Sequence, residues 1–506
     1  MDDGLNEAAQ TNETEESNPP IISALIPAHQ PVNTDPPTNL EIEASKRLLK
    51  FLQKTCYETQ ERSEQRAVVL QELQEIANEF TRQTCIKLGL PTEIDGSPVQ
   101  SQLFHFGSYR LGVCNQNSDI DVLCITPRYV NRTHFFSIFY DLLSSSPKVQ
   151  DIQKIEGAFV PIITMTFDTV DIDLSFAHVD MDNVPGDIDL SDDTLLNNLD
   201  QQAVNSINGV RTNDMMLELV PNKQAFRILL RFIRLWSRSR AIYGNVYGYL
   251  GGVNCALLSA FIIERYPEAA PATLISMFFY ELSEWKWPRP IYINTPNIGL
   301  LPSWDASTSN DLMPIITPAY PCINSLRSAT KSTRMRMTEE FKRGFKITNS
   351  IIMKGKKWSL LIAPSNFFTK YKWYLQIKIS ADTKERFLAW EGVVESRIKK
   401  LSILLEENDK IEYAATYPKA FETPGADGKE FAGSFFIAMG FKKLPHGETV
   451  NIDEQTKNFL RDLNLVKEKH PQMLTVPVVI QRKDIPLFVF PDGKRPEVKK
   501  PKTKKK

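Results

Sequence analysis

The spacing of hydrophobic positions changes several times along the chain, and each change marks a different kind of element. Leu48, Leu49, Leu52, Val68, Leu70, Leu73, Ile76 and Phe80 recur among charged residues at helical spacing, which predicts helix from about Leu40 to Leu88. Strand-like runs follow at Gln102–Phe106, Ile120–Thr126, Val160–Phe167 and Val170–Phe176, the last two joined by Asp168-Thr169 as a tight hairpin. A short helical pattern at Asp141-Leu142-Leu143 lies among them. From about Ser191 to Ala363 the pattern is mostly helical. There Phe226, Leu229, Leu230, Ile233 and Trp236 keep one apolar stripe, with Arg227, Arg231, Arg234 and Arg238 around it. After Pro364 a strand is predicted at Tyr371–Ile379, a long amphipathic helix at Lys384–Leu405, and strands at Ala432–Phe441 and Leu474–Gln481. That succession suits a small α/β sandwich.

Together these segments describe an α+β multidomain chain, and 506 residues correspond to about three domains. The boundaries fall at 1–38, 39–190, 191–363, 364–491 and 492–506. Residues 1–38 are acidic and proline-rich and cannot bury a core, so disorder is expected there. A run of 23 uncharged residues, 241–263, is long enough to span a bilayer, but its four glycines and two asparagines favour a buried core helix from Leu250 to Ile263.

Charge changes the picture because its sum conceals its distribution. The formal net charge is −1, yet residues 1–45 hold nine acidic residues and no Lys or Arg, and residues 494–506 hold eight basic residues and one acidic. Residues 327–372 carry twelve basic residues against Glu339 and Glu340 alone. A polyanion responds to such local runs rather than to the total. The six cysteines are scattered without metal-ligand spacing, which is the usage of a reduced intracellular protein.

The chemistry-bearing series begins at Phe106-Gly107-Ser108 and continues at Asp119-Ile120-Asp121. Strand side chains alternate, so Asp119 and Asp121 project together while Ile120 and Val122 face the core. Adjacent carboxylates repel unless a cation neutralises them, and a hard divalent ion with oxygen ligands suits them. An isolated pair of this kind is as readily a solvated strand edge. A second acidic pair, Asp171-Ile172-Asp173, stands on a neighbouring candidate strand, and either of its members could supply the third carboxylate that a two-metal site needs.

These motifs resemble those of the DNA polymerase β-type nucleotidyltransferases, specifically the eukaryotic nuclear poly(A) polymerases. The likeness extends through Ser206-Ile207-Asn208-Gly209, Tyr243–Val253, Leu312–Pro321, Ser332–Met335 and Asn366-Phe367-Phe368, over roughly residues 30–490. It implies a nucleotidyltransferase catalytic domain over 39–190, a helical middle domain over 191–363 and an RNA-recognition-motif-like RNA-binding domain over 364–491. Asp119, Asp121 and Asp173 would be the catalytic, metal-binding triad for two Mg²⁺ or Mn²⁺ ions. Phe106, Gly107, Ser108, Asn115, Asn208, Arg234, Tyr243, Gly252 and Val253 would contact ATP, the substrate, with Ser108 and Arg234 on its triphosphate. Arg234 stands where the family has Lys, and Cys114 where a His is common.

The implied reaction is in-line attack of an RNA 3′-hydroxyl on the α-phosphorus of ATP, releasing pyrophosphate without a template. A relative using another nucleotide, such as a uridylyl- or CCA-adding transferase, and an inactive RNA-binding paralogue are the competing readings. The basic stretch from Arg327 to Lys372, interleaved with Trp358, Phe367, Phe368, Tyr371, Trp373 and Tyr374, has the composition that grips single-stranded RNA. The tail from Lys494 suits nuclear import or non-specific RNA contact. The expected setting is the nucleus, as a monomer without a membrane span, working with cleavage and polyadenylation factors on mRNA 3′ ends.

Overall fold

A computed structural model describes residues 31–296, 299–423, 431–443, 445, 448–490 and 493–496. Residues 1–30 of the acidic head and most of the basic tail lie outside the described residues.

The first helical stretch is two helices, α1 (Asn39–Thr55) and α2 (Gln60–Leu88), rather than one. Each has its own start signal: Thr38 and Glu41 form a capping box on α1, and the Thr59 side chain accepts from Arg62 N on α2. The periodicity carries across the break because both helices bury apolar faces, but against different cores. Ala44, Leu48 and Leu52 pack with Phe226 and Trp236 of the middle domain, whereas Val69, Leu73 and Phe80 pack on Ile120, Val122 and Leu174.

Five strands form the first sheet: β1 (Gln102–Phe106), β2 (Ile120–Thr126), β3 (Val149–Ile155), β4 (Ile162–Phe167) and β5 (Val170–His178), in the order β1-β2-β5-β4-β3. The β2 and β5 strands run parallel and the other neighbours antiparallel. At the β4–β5 hairpin Asp168 and Thr169 take φ of +46° and +67°, as a type I′ turn requires. The edge strand β3 is mostly exposed and so leaves no apolar signature in the sequence. On one face lie α2 and the Phe135–Phe139 turn. The other face is covered by α4 (Gln201–Leu219), through Val204, Ile207 and Val210 on Leu123, Ile125 and Ala177. The short helix α3 (Gly107–Arg110) follows β1 directly.

The middle region is built from α5 (Lys223–Ser239), α6 (Gly252–Arg265), α7 (Pro271–Glu284) and α8 (Lys331–Lys354) around Trp236, Phe278, Phe279 and Phe341. The uncharged run is resolved by α6, a core helix buried over most of its length. No helix among the described residues is long and apolar enough to cross a membrane.

The last unit has strands β6 (Trp373–Ala381), β7 (Ile411–Thr416), β8 (Phe421–Thr423), β9 (Phe431–Phe441) and β10 (Leu474–Gln481), with helices α9 (Lys384–Glu406) and α10 (Asp453–Asn464). The β6 strand is paired with β9 on one side and β10 on the other, while β7 and β8 share the far edge of β9. Setting β8 aside, this is a βαββαβ arrangement. Its core is continuous with that of the middle region, and hydrogen bonds cross the junction. Tyr247 Oη donates to Glu395 Oε1 at 2.6 Å, Tyr249 Oη to Thr416 O at 2.8 Å, and Thr416 Oγ1 to Tyr247 O at 3.0 Å.

Candidate active site

The site is assembled where β1, β2 and β5 end. Ile120 and Val122 are fully buried, so the alternation of β2 turns Asp121 to the other face, and Asp119 lies exposed just before the strand. Asp121 and Asp173 are register partners across the parallel β2–β5 pair. Neighbours in parallel register present their side chains on the same face, so Asp173 stands directly beside Asp121. Asp171 is exposed and accepts from Thr166 Oγ1 at 2.8 Å.

The carboxylates feel one another. Burial, then Asp119 and Asp173, push the Asp121 carboxyl up to about 7, with Arg234 opposing. Burial, then Asp119 and Asp171, raise Asp173 to about 6. Carboxyls held that high are a poor arrangement for bare protein and a favourable one for a cation. Among the described residues no three Asp, Glu, His or Cys side chains are gathered closely enough to hold a metal ion by themselves. An open set of carboxylates is what Mg²⁺ accepts when substrate phosphates complete its shell.

Gly107 takes φ +63°, and a Cβ there would stand 1.8 Å from Asp121 Oδ2. Only glycine lets the turn pass against that carboxylate. Ser108 opens the turn that follows, its Oγ 3.6 Å from Cys114 Sγ, a thiol that burial holds above its usual range.

Gly107, Ser108, Asp119 and Asp121 line a cleft of about 980 Å³ together with Phe106, Asn208, Arg234, Tyr243, Gly252 and Val253, and Asp173 stands beside Asp121, outside that lining. Arg234 Nη1 donates to Val113 O at 3.1 Å, while its Nε is buried without a protein partner among the described residues. Asn208 Nδ2 donates to Pro321 O at 3.3 Å, and its Oδ1 is likewise buried and unpaired. Tyr243 lies under the Arg238 guanidinium at 4.6 Å. At the start of α6, Asn254 Oδ1 accepts from Gly251 N at 2.6 Å and keeps the Gly251-Gly252 turn tight.

Two expectations are corrected. Asn115 does not line the cleft: its Oδ1 accepts from Asn117 N at 3.0 Å, so its side chain turns into its own loop, as Asn does in tight turns. Most rings of the basic–aromatic stretch are not offered either, since Trp358, Phe367, Phe368, Tyr371 and Tyr374 are buried and only Trp373 is half-buried. Several of its cations are already engaged: Arg336 donates to Thr416 O and Ala241 O, Arg343 to Leu360 O and Leu361 O, and Lys370 pairs with Glu339.

The sequence reading missed much of the opposite wall. Thr317, Ser325, Arg327 and Ser328 reach the cleft from a loop with no regular element, and Lys399 reaches it from α9. Phe159, 66% exposed, stands at the mouth from the β3–β4 loop. Only Arg327, inside a basic run, left a trace of itself in the sequence.

Comparison with known proteins gives a consistent result. Three family models match in succession: "Poly(A) polymerase nucleotidyltransferase domain" over residues 29–220, "Poly(A) polymerase central domain" over 225–364 and "Poly(A) polymerase predicted RNA binding domain" over 366–430. A poly(A) polymerase of Dictyostelium discoideum is 36% identical over 491 residues, covering 94% of this chain and 60% of that protein. Nuclear poly(A) polymerase 1 of Arabidopsis thaliana is 36% identical over 478 residues, covering 92% and 66%. The chain thus spans 60 to 66% of the length of these two relatives. A solved RNA terminal uridylyl transferase aligns over 64% of this chain and 98% of its own, at TM-score 0.45 and 15% identity.

Proposed function

The chain belongs to the poly(A) polymerase family, and on that premise we propose that it adds AMP from ATP to RNA 3′ ends without a template, releasing pyrophosphate. The observation that carries the proposal is that Asp119 and Asp121 line a cleft with Gly107 and Ser108, with Asp173 the register partner of Asp121. Developing charge in phosphoryl transfer lies on phosphate oxygens, so positioning and electrostatics do most of the work.

Asp119, Asp121 and Asp173 would hold Mg²⁺ or Mn²⁺, which would supply activation of the RNA hydroxyl and neutralisation of charge on the leaving pyrophosphate. Ser108 donates its hydroxyl to the triphosphate, and Arg234 holds it through the N–H groups not committed to Val113. Asn208 keeps an acceptor free for the nucleotide. Tyr243, Gly252 and Val253 form the wall for adenine. Arg327 and Lys399, on the opposite wall, face the incoming RNA backbone. We place the activity in nuclear mRNA 3′-end processing, with a monomeric chain directed by cleavage and polyadenylation factors.

The test is extension of an oligo(A) primer with each of four labelled NTPs, wild type beside Asp173→Ala. ATP-specific extension that Asp173→Ala abolishes, in a variant that still folds, supports the proposal. Near wild-type transfer by the variant overturns the triad, and preferred UTP or CTP incorporation overturns the substrate.

A further inference from the structure

The loop from Leu111 to Ser118 joins the Ser108 turn to Asp119, and guanidinium groups hold nearly all of it. Four consecutive carbonyls are taken by one face of α5. Arg227 Nε donates to Leu111 O at 3.1 Å and Arg231 Nη2 to Gly112 O at 2.6 Å. Arg234 Nη1 donates to Val113 O at 3.1 Å and Arg231 Nη1 to Cys114 O at 2.7 Å. From the other side Arg66, fully buried on α2, donates to Asn115 O at 3.4 Å and to Ser118 O. Arg66 is itself fixed by Glu58 at 3.1 Å. Arg231 also reaches Cys56 O at 3.3 Å and lies 4.4 Å over the Tyr57 ring, at the joint between α1 and α2.

Arg227, Arg231 and Arg234 stand at i, i+4 and i+7, so one helix face presents them in a row. Gly112 allows the loop to lie against that row: its φ is +69°, and a Cβ would come 2.8 Å from Arg227 Nε. Bonds from an ionised donor are stronger than neutral ones, and this loop has no ladder of its own to define its path. Arg66, Arg227 and Arg231 do not line the cleft. Any effect they have on substrate must therefore pass through the loop, whose ends are Ser108 and Asp119.

We propose that Arg231 and Arg66 are positioning residues for nucleotidyl transfer: they hold the loop so that the phosphate-binding turn and the first carboxylate keep a fixed separation. This rests on the function proposed above. Lysine cannot stand in for Arg231, because one ammonium on a single stem does not reproduce a planar fork reaching three carbonyls.

Arg231→Lys is compared with wild type in primer extension, in RNA affinity without ATP, and in the rise of melting temperature on adding Mg²⁺ with ATP. We expect the unliganded melting temperature to fall by less than about 4 °C and RNA affinity to stay within about twofold. Per active site, kcat falls about tenfold or more, KM for ATP and the half-saturating Mg²⁺ concentration each rise about fivefold, and the ligand-induced shift shrinks. Unchanged KM, Mg²⁺ dependence and ligand shift, whether activity is kept or falls only with the folded fraction, would overturn the proposal. Should Arg231→Lys fail to fold, Arg227→Lys, which disturbs one carbonyl, is expected to move the same constants by about twofold, and no movement overturns it. A wild-type protein without transfer sinks the functional reading instead.

Discussion

Asp121 and Asp173 face each other directly across two parallel strands, while Asp171, two residues earlier on β5, spends a carboxylate oxygen on Thr166. This difference separates two acids that alternation alone leaves equivalent. Asp173→Asn is expected to lower kcat by about 10³-fold or more, and Asp171→Asn by no more than about threefold. In metal-free buffer Asp173→Asn should melt no lower than wild type, because it removes one of the mutually repelling charges. Steady-state extension kinetics and thermal melts of both variants check this, and equal losses from the two would remove the distinction.

Gly107→Ala places a methyl group where Asp121 Oδ2 now stands, at a backbone angle that alanine resists. Either the turn or the carboxylate must move. We expect transfer to fall by about 10²-fold, with a stability loss of about 1–3 kcal/mol. Calorimetry and primer extension read the two effects separately.

Arg234→Lys keeps the charge, but not the simultaneous hold on Val113 O and on the cleft. KM for ATP is expected to rise about fivefold, with KM for the RNA primer unchanged. A fall in KM for ATP would show that the loop carbonyl is a distraction rather than a support.

Glu264 is buried, neither carboxylate oxygen has a hydrogen-bond partner among the described residues, and burial raises its carboxyl to about 8. The folded chain therefore keeps a proton between roughly pH 4.5 and 8 that the unfolded chain gives up, so this residue lowers stability as pH rises through that window. Glu264→Gln is expected to flatten the pH dependence and to gain on the order of a few kcal/mol over wild type at pH 9. Denaturant melts from pH 5 to 9 test this, and parallel curves for the two proteins would refute it.

The acidic pairs and the Gly107 turn were legible because each depends on residue types at fixed local spacing, whereas Tyr243, Gly252 and Val253 were singled out only through the family resemblance. Phe106-Gly107-Ser108 and Asp119-Ile120-Asp121 carry their geometry in strand alternation. Arg227 and Arg231 were not legible, since a bond to a backbone carbonyl leaves no mark on the residue it reaches. From composition alone their helix reads as a solvated basic face. Asn115 reads as a ligand until its own loop takes its side chain. Phe367, Phe368 and Tyr374 read as base-stacking rings, but clusters of aromatic residues serve cores as well as surfaces, and here they serve the core.

The bond from Tyr247 to Glu395, and those exchanged by Thr416 with Tyr247 and Tyr249, join the short turn after Tyr243 to the last unit. With Lys399 one turn beyond Glu395 on α9, the wall of the cleft is shared property of two parts of the chain. A cut near residue 365 would therefore leave an enzyme missing one wall rather than a smaller complete one. The last unit is thereby anchored to the turn that closes one side of the cleft.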